Sequence, residues 1–512
     1  MLVKVFGSAV YGIKATTITI EVNVDKGVNF FLVGLPDSAV KESQQRIASA
    51  LTTNGFKMPL NRIIINMAPA DIRKEGSAYD LPIALGILAA SSQIATEKFT
   101  DYIIMGELSL DGGIQPVKGV LPIALQAASE GFKGVILPVQ NAAEAAIVKD
   151  LEVYGMSSIK EVVEFLTGER LADPVRCDVD MLFRATADKF GVDFSDVKGQ
   201  ENVKRALEIA AAGGHNIIMI GAPGSGKTML AKRLPTIIPP LSLEEALETT
   251  KIHSVAGKVE KNGGLITRRP FRSPHHTVSD VALVGGGTYP QPGEISLAHN
   301  GVLFLDELPE FKRSVLEVMR QPLEDRNITI SRAKFSIDYP ANFMLVASMN
   351  PCPCGFHNHP EKECVCPPGM VQRYLSRISG PLLDRIDIQI EVVPVPFEKL
   401  SDGRVSEPSS EIRDRVIRAR RIQQARFESE LEVHCNAMMG TRLIRRYCKL
   451  SDAGMIILKN AMAKLGLSAR AYDRILKVSR TIADLDGSAD VQTHHVAEAI
   501  NYRSLDRSDW AG

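Results

Sequence analysis

Residues 221–228 combine a glycine-rich turn with a lysine and a hydroxyl group, in the order Gly-Ala-Pro-Gly-Ser-Gly-Lys-Thr. This order matches the P-loop pattern G-x-x-x-x-G-K-[ST], in which glycines let backbone N–H groups surround phosphate oxygens. Lys227 is expected to reach the β- and γ-phosphates of a nucleoside triphosphate, and Thr228 to bind Mg²⁺. A glycine-rich turn without a ligand is the alternative. The candidate nucleotide-binding residues are Gly221, Ala222, Pro223, Gly224, Ser225, Gly226, Lys227 and Thr228.

Two carboxylates follow a second apolar run, in which Val302–Leu305 leads into Asp306 and Glu307. A buried strand does not end in two charges unless those charges have a partner. We expect Asp306 to hold Mg²⁺ and Glu307 to act as general base on the attacking water. An acidic pair that caps a helix is the alternative, but a P-loop needs such an acidic partner.

Asn350 follows a third apolar run, residues 343–348. Its amide is suited to orienting an attacking water between the strand ends. A turn-forming asparagine before Pro351 would give the same pattern.

Four cysteines crowd into a short segment as two C-x-C pairs, Cys352 with Cys354 and Cys364 with Cys366. Four thiolates are the tetrahedral ligand set that Zn²⁺ favours in structural sites. The sequence therefore predicts a closed structural zinc site, with reduced free thiols as the alternative. Cys177, Cys435 and Cys448 are isolated and need no function.

Residues 328–339 alternate apolar and polar side chains around a small basic centre. The alternation predicts a β-hairpin with Arg332 and Lys334 near its tip, suited to a phosphate backbone. A solvated hairpin is the alternative. Two further basic stretches, residues 268–276 and 413–426, do not read base sequence in any recognisable way, and the second is expected to be solvated surface.

Strands and helices must place these groups. Strand-then-helix alternation predicts an α/β fold, and residues beyond about 401 read as helices without an intervening strand. The predicted P-loop strand is Asn216–Ile220, and a helix is expected to follow the P-loop. The expected domains are an α/β domain at 1–170, a linker at 171–192, an ATPase core at 193–400 and a helical domain at 401–512.

Composition narrows the classes of protein. Hydrophobic residues make up 45% of the 512 residues and the formal net charge is zero. Nucleic-acid affinity would therefore come from local basic patches rather than from bulk charge. Seven cysteines are too few for a disulfide scaffold, and neither a signal peptide nor an apolar run of about 18 residues is recognisable. We expect a cytoplasmic protein.

The order of the motifs resembles the AAA+ branch that contains magnesium-chelatase ATPase subunits and MCM helicases. Over nearly the whole chain it is most similar to the bacterial ComM/YifB family of magnesium-chelatase-like ATPases. The segments that carry the resemblance are residues 196–200, 221–228, 269–276, 301–308, 350–355, 380–387 and 468–470.

This resemblance implies roles for four residues. Asn350 would be sensor 1, Arg385 an arginine finger offered in trans to a neighbour's γ-phosphate, Arg470 sensor 2 on a lid helix, and Gln200 a neighbour of the adenine. An ion pair of Arg385 with Asp384 or Asp387 is the alternative. A finger in trans implies a homo-oligomeric ring, most simply a hexamer.

The first 170 residues resemble the Lon-protease catalytic domain, through residues 74–80, 106–113 and 135–138. That family uses a Ser–Lys dyad, but the motifs place Ala78 and Leu121 at those two positions. Ser77 and Lys118 lie close by in the sequence, so a shifted register would restore a pair. The domain is expected to keep the fold as an assembly or nucleic-acid-binding module.

The resemblance implies a hexameric motor, powered by Mg·ATP, that translocates on DNA and drives branch migration of recombination intermediates during DNA integration. The DNA would be single-stranded or branched and bound without sequence preference. One alternative is a chelatase-type ATPase that remodels a protein partner. The other is an ATP-dependent peptidase.

Overall fold

The structure is a computed structural model. It describes residues 1–95, 97–186, 190–259, 264–287, 290–332, 335–357, 359, 361–395, 406–430 and 432–503. The chain forms two compact α/β units: Met1–Ala187 with Ser242–Thr267, and Asp188–Leu241 with Arg268–Gly512. Within the described ranges, no helix combines the length and apolar character needed to cross a membrane.

The first unit is built on a mixed seven-stranded sheet, in the order β3-β4-β2-β1-β5-β8-β9. Its long antiparallel pair, β1 with β2, is rich in β-branched residues that alternate between a buried and an open face. A short β6–β7 ribbon lies beside it. The strands are β1 Leu2–Tyr11, β2 Lys14–Asp25, β3 Phe30–Val33, β4 Arg62–Ala68, β5 Tyr102–Ile104, β6 Glu107–Leu108, β7 Ile114–Gln115, β8 Gly134–Pro138 and β9 Glu152–Met156.

Helices cover the buried face of this sheet. The central helix, Asp80–Ala90, is apolar on all sides after its first residue, Asp80, and every residue in it is buried, as expected for a helix packed on every face. The helices before the second unit are α1 Ser38–Lys41, α2 Ser43–Thr53, α3 Asp80–Ala90, α4 Val120–Ser129, α5 Val139–Ala145, α6 Ile159–Thr167 and α7 Val179–Thr186.

The second unit contains a five-stranded parallel sheet, in the order β11-β14-β17-β10-β18. Its central strands are continuous apolar runs, because a parallel sheet is covered on both faces. Two antiparallel ribbons, β12–β13 and β15–β16, accompany it. The strands are β10 Ile217–Ile220, β11 Phe271–Arg272, β12 Gly285–Gly286, β13 Gln291–Pro292, β14 Val302–Leu305, β15 Asn327–Arg332, β16 Phe335–Pro340, β17 Met344–Met349 and β18 Ile388–Glu391.

The helices of the second unit flank this sheet and then continue without a strand through the described part of residues 406–503. The helices around the sheet are α8 Glu201–Gly213, α9 Lys227–Arg233, α11 Asp280–Val284, α12 Glu294–Leu297, α13 Arg313–Val318, α14 Arg320–Asp325, α15 Met370–Leu375 and α16 Gly380–Leu383. The C-terminal helices are α17 Ser409–Arg426, α18 Thr441–Tyr447, α19 Asp452–Leu465, α20 Ala469–Leu485 and α21 Thr493–Asn501.

One segment groups differently from the sequence-based division. The sequence-based division placed residues Ser242–Thr267 in the ATPase core at 193–400. By their contacts they belong to the first unit. They contain α10, Leu243–Val255, which begins with a capping box made by Ser242 and Glu245 and packs against α4. The Gly119 N–H donates to the Ser254 carbonyl at 3.1 Å. The domain boundaries themselves stay predictions, and the one at 400–401 lies outside the described residues.

Candidate nucleotide site

The P-loop connects β10 to α9 at the carboxyl edge of the parallel sheet. Gly224 and Gly226 have φ of 80° and 92°, in the left-handed region that favours glycine. A Cβ added at Gly221 would lie 2.3 Å from the Val392 carbonyl oxygen, so only glycine fits there. The turn therefore has the backbone conformation that the motif requires.

Lys227 lies within this turn and is buried. Its ammonium donates to the carbonyls of Gly221 at 2.7 Å and Ala222 at 3.0 Å, and to Asn350 Oδ1 at 3.2 Å. Burial lowers the pKa of Lys227, and the nearby carboxylates of Asp306 and Glu307 oppose that shift. The amine is thus held among acceptors that a phosphate oxygen can replace.

Asp306 connects the acidic strand end to the P-loop. Thr228 Oγ1 donates to Asp306 Oδ2 at 2.7 Å, and the Ser348 hydroxyl donates to the other carboxylate oxygen. These contacts form because β17 lies between β14 and β10, and parallel strands end at the same edge of the sheet. The structure therefore brings together Lys227, Thr228, Asp306 and Asn350.

Glu307 follows Asp306 in a left-handed conformation, with φ of 54°. Such a conformation is uncommon for a residue other than glycine and costs free energy, and it often occurs at functional sites. Its N–H donates to Asp306 Oδ1 at 3.1 Å, and its side chain is 53% exposed. The carboxylate is thus open to solvent directly beside the candidate Mg²⁺ ligand.

Two residues at this edge were not identified from the sequence. Ser348 is the polar residue near the end of the apolar strand β17, and the reasoning used for Asp306 would have found it. His276 lies in the basic stretch 268–276, with Nδ1 3.6 Å from Glu307 Oε2. No sequence signal linked His276 to Glu307, because β11 and β14 are joined only through sheet pairing.

Arg385 is held by its own chain. Its guanidinium forms an ion pair with Glu324 and donates to the Pro381 carbonyl at 2.7 Å. The alternative of an ion pair with Asp384 or Asp387 is wrong: Asp384 contacts Arg470 at 3.5 Å, and Asp387 contacts Arg474 at 2.9 Å. The finger role stays a prediction, because it needs a second subunit.

Arg470 and Gln200 lie outside the hydrogen-bonded cluster around Lys227. Arg470 is in the first turn of α20, and its side chain is 62% exposed. Gln200 precedes α8 with φ of 63°, and its Nε2 donates to the Val393 carbonyl at 2.5 Å. Val393 is one residue beyond Val392, which touches Gly221. Their roles as sensor 2 and adenine neighbour stay predictions.

The cysteine segment has the dimensions of a metal site. Ligand atoms of Cys352, Cys354, Cys364 and Cys366 all lie within 4.8 Å of one another. Sulfur–sulfur separations of 3.2, 3.6 and 3.7 Å are too long for a disulfide bond. They approach the edge of about 3.8 Å expected for a tetrahedron with Zn–S bonds of about 2.3 Å. The four residues therefore fit zinc.

This segment also packs on the P-loop. Gly355 has φ of 86°, and a Cβ added there would lie 2.4 Å from Pro223 Cδ. A contact this close places the segment directly after Cys354, between the two C-x-C pairs, against the turn that carries Lys227. The cysteine loop is thus part of the wall of the nucleotide site.

The predicted hairpin is present as β15 and β16, with Arg332 opposite Phe335. Its inner face is buried through Ile328, Ile330 and Ile337. Lys334 and the side chain of Arg332 lie outside the described residues, so DNA contact at the tip stays a prediction.

Both other basic stretches are partly occupied by contacts within the chain. Arg269 donates to the Pro239 and Asn300 carbonyls, and Arg272 makes a two-bond ion pair with Glu294.

On α17, Arg415 pairs with Glu208 and Arg426 with Asp484. The solvated helix surface expected from the sequence is therefore limited to a subset of its arginines, including the exposed Arg418 and Arg421.

In the first unit, Ser77 and Lys118 have separate surroundings. The Ser77 hydroxyl donates to Glu107, and the Lys118 stem lies against Gly257, where an added Cβ would be 2.8 Å from Cε. Leu121 is fully buried, and its N–H donates to Glu144 at 2.9 Å.

Comparison with known proteins gives matches along most of the chain. Residues 193–400 match the family of magnesium chelatase, subunit ChlI; residues 20–141 match subunit ChlI of Mg-chelatase; and residues 406–503 match its C-terminal family. A shorter similarity, 32% identity over 157 residues, covers 28% of this chain and 27% of Lon protease 2 of Bacillus subtilis.

Two relatives match over nearly their full length. Competence protein ComM of Haemophilus influenzae is 46% identical over 511 residues, which covers 99% of this chain and 98% of that protein. The YifB protein of Escherichia coli is 44% identical over 503 residues, with 98% and 96% covered. The chain therefore belongs to the ComM/YifB family of magnesium-chelatase-like AAA+ ATPases.

Proposed function

We propose that this protein is an ATP-driven DNA motor that works as a homo-oligomeric ring, most simply a hexamer. Its task would be branch migration of recombination intermediates during DNA integration, as the competence name of its Haemophilus relative suggests. The observation that carries the proposal is the joining of Lys227 to Asn350 and of Thr228 to Asp306 at one sheet edge.

The residues at this edge divide the chemistry of hydrolysis among them. Lys227 and the P-loop amides would bind the phosphates, and Thr228 and Asp306 would hold Mg²⁺, which would supply positive charge to offset that of the phosphates. Glu307 would accept the proton of the attacking water, and Asn350 would orient that water. Arg385 would reach a neighbour's γ-phosphate, which is why a ring is required.

DNA contact is assigned to the β15–β16 hairpin. The sequence places Arg332 and Lys334 at its turn, and several such turns in a ring would form a basic collar. A collar of this kind reads the phosphate backbone and not the bases. Binding should therefore weaken steeply with added salt.

The experiment compares the steady-state ATPase rate with no addition, with forked DNA and with an unfolded protein. Stimulation by DNA supports the motor, and stimulation by protein alone supports a chelatase-type remodelling ATPase. Cleavage of casein in the presence of ATP supports the peptidase. A double variant, Arg332→Ala with Lys334→Ala, should lose DNA stimulation. Arg418→Ala with Arg421→Ala, which removes two exposed charges from α17, should keep it.

We also propose a structural zinc site at the four clustered cysteines. Elemental analysis of protein purified under reducing conditions should give about one zinc per chain, falling to near zero in Cys364→Ser. Cys448→Ser, a buried thiol on α18's C-terminal side, should keep the metal. Metal-free wild-type protein would reject this assignment.

A further inference from the structure

The carboxylate that holds Arg385 comes from a distant part of the sequence. Glu324 lies on α14, and the ion pair joins it to the segment that follows α16. The Arg385 side chain is 14% exposed, whereas the Glu324 side chain is 63% exposed. Arg385 Nε is buried without a hydrogen-bond partner. The guanidinium therefore keeps donor capacity beyond the groups that already hold it.

A second contact joins the same two segments. Arg320, in the first turn of α14, donates to the Ser379 hydroxyl at 2.8 Å and also to Glu317. Ser379 is the residue directly before α16. Two polar contacts, one at each end of α14, thus connect this helix to residues 379–385.

The other end of α14 leads into the hairpin. Arg326 ends the helix with φ of 54°, and β15 begins at Asn327. The Arg326 carbonyl accepts from the Ala341 N–H at 2.8 Å, just beyond β16. The Tyr339 hydroxyl donates to the Pro290 carbonyl at 2.8 Å. Only two residues, Asp325 and Arg326, therefore separate Glu324 from a hairpin whose base is fixed by hydrogen bonds.

We propose that Glu324 is a positioning residue for Arg385 and that α14 connects this arginine to the base of the β15–β16 hairpin. This inference rests on the proposed function, in which Arg385 meets a neighbour's nucleotide. A carboxylate beside the guanidinium fixes its orientation and removes part of the entropy cost of reaching a phosphate. Because Glu324 is largely exposed, the ion pair is weak enough for a phosphate to compete for Arg385. Nucleotide binding at the neighbouring site then alters the Glu324–Arg385 contact and, through it, the forces on α14 and on the hairpin.

The first test compares Glu324→Ala, Glu324→Gln and Asp325→Asn. Asp325 is an exposed carboxylate next along the same helix and is the matched control. Glu324→Ala should lower kcat for ATP about tenfold, with KM within twofold, because the arginine is misplaced while the P-loop is intact. Glu324→Gln keeps an acceptor and should recover part of the rate. Wild-type kcat in Glu324→Ala would overturn the proposal.

Mixed rings separate positioning from general damage. A Glu324→Ala subunit keeps its nucleotide site, and a Lys227→Ala subunit keeps its arginine, so mixing them should restore activity above either alone. Mixing Glu324→Ala with Arg385→Ala should restore nothing. If Lys227→Ala subunits rescue Arg385→Ala but do not rescue Glu324→Ala, Glu324 acts only on folding. That result would overturn the inference. Wild-type activity of Arg385→Ala itself would instead refute the proposed function.

The link to the hairpin has its own readout, the ratio of DNA-stimulated to basal ATPase rate. This ratio should fall at least about threefold in Glu324→Ala and stay at the wild-type value in Asp325→Asn. An unchanged ratio in Glu324→Ala would overturn the connection through α14.

Discussion

The buried charges of the first unit and the charges at the candidate nucleotide site of the second unit have different surroundings. In the first unit, Asp80 is almost completely buried and is fixed by Arg46 at 2.6 Å, and Lys74 is fully buried against the Pro69 carbonyl. At the candidate nucleotide site of the second unit, the acidic and basic groups lie where three parallel strands end, and Glu307 remains half exposed. Buried charges with fixed partners are closed to a ligand, and removing one partner leaves the other uncompensated. Charges at an open sheet edge remain available to a ligand.

The largest effect should follow removal of the P-loop amine. Lys227→Ala deletes the group that joins the turn to Asn350, and the ATPase rate should fall about 100-fold to 1000-fold, the range seen when a preorganised charge-stabilising donor is lost. Lys232→Ala removes an exposed lysine from the same helix and should leave the rate within twofold. An active Lys227→Ala enzyme would contradict the role of the sheet-edge charges in binding a ligand.

The positions of these charged groups could be predicted only where the pattern of neighbouring residues in the sequence indicates the element that carries them. The apolar runs before Asp306 and Asn350 indicated β14 and β17, and both strands are observed within one residue of the predicted limits. The helices of residues 406–503 were equally recognisable from their polar and apolar pattern. Local periodicity was sufficient because each element has its own buried face.

Other features depend on contacts between distant segments. The Glu324–Arg385 ion pair joins residues 61 positions apart, whereas the only partners within the chain that the sequence offered as an alternative were the neighbours Asp384 and Asp387. The packing of α10 with the first unit was missed for the same reason, since its sequence pattern does not indicate which core it covers. Spacing along the chain gives the type of element but not its partner.

Breaking a buried ion pair in the first unit should reduce stability rather than catalysis. Burial raises the pKa of Asp80 and Arg46 lowers it, so Arg46→Ala leaves an uncompensated carboxylate. The unfolding free energy of this unit should fall by about 3 kcal/mol. Lys4→Ala, which breaks a more exposed pair with Glu21, should cost less than about 1 kcal/mol. Calorimetry measures the change in unfolding free energy for both variants. Equal changes would contradict the role assigned to burial.

A smaller effect should follow crowding of the P-loop from outside. Gly355→Ala places a methyl group against Pro223 and should raise the Kd for ATP about tenfold, because the turn must shift to relieve the contact. Gly369→Ala is the matched control, since it has a similar φ of 75° but no atom within 4 Å of the added Cβ. Titration with a fluorescent ATP analogue gives both values. Similar affinities in the two variants would show that backbone strain, and not the contact with the P-loop, sets the effect.

The smallest effect is expected at Ser77 and Lys118, the pair that only a shifted register would place at the positions of a peptidase dyad. A Ser–Lys pair needs the lysine amine to accept the serine proton, but Ser77 donates to Glu107 and Lys118 lies against Gly257. Ser77→Ala and Lys118→Ala should therefore leave casein intact and the ATPase rate within twofold of wild type. Loss of the Ser77 hydrogen bond should cost only about 1 kcal/mol of stability. Casein cleavage by the wild type that disappears in Ser77→Ala would show that the first unit also carries an open chemical site, and the contrast between the two units would no longer hold.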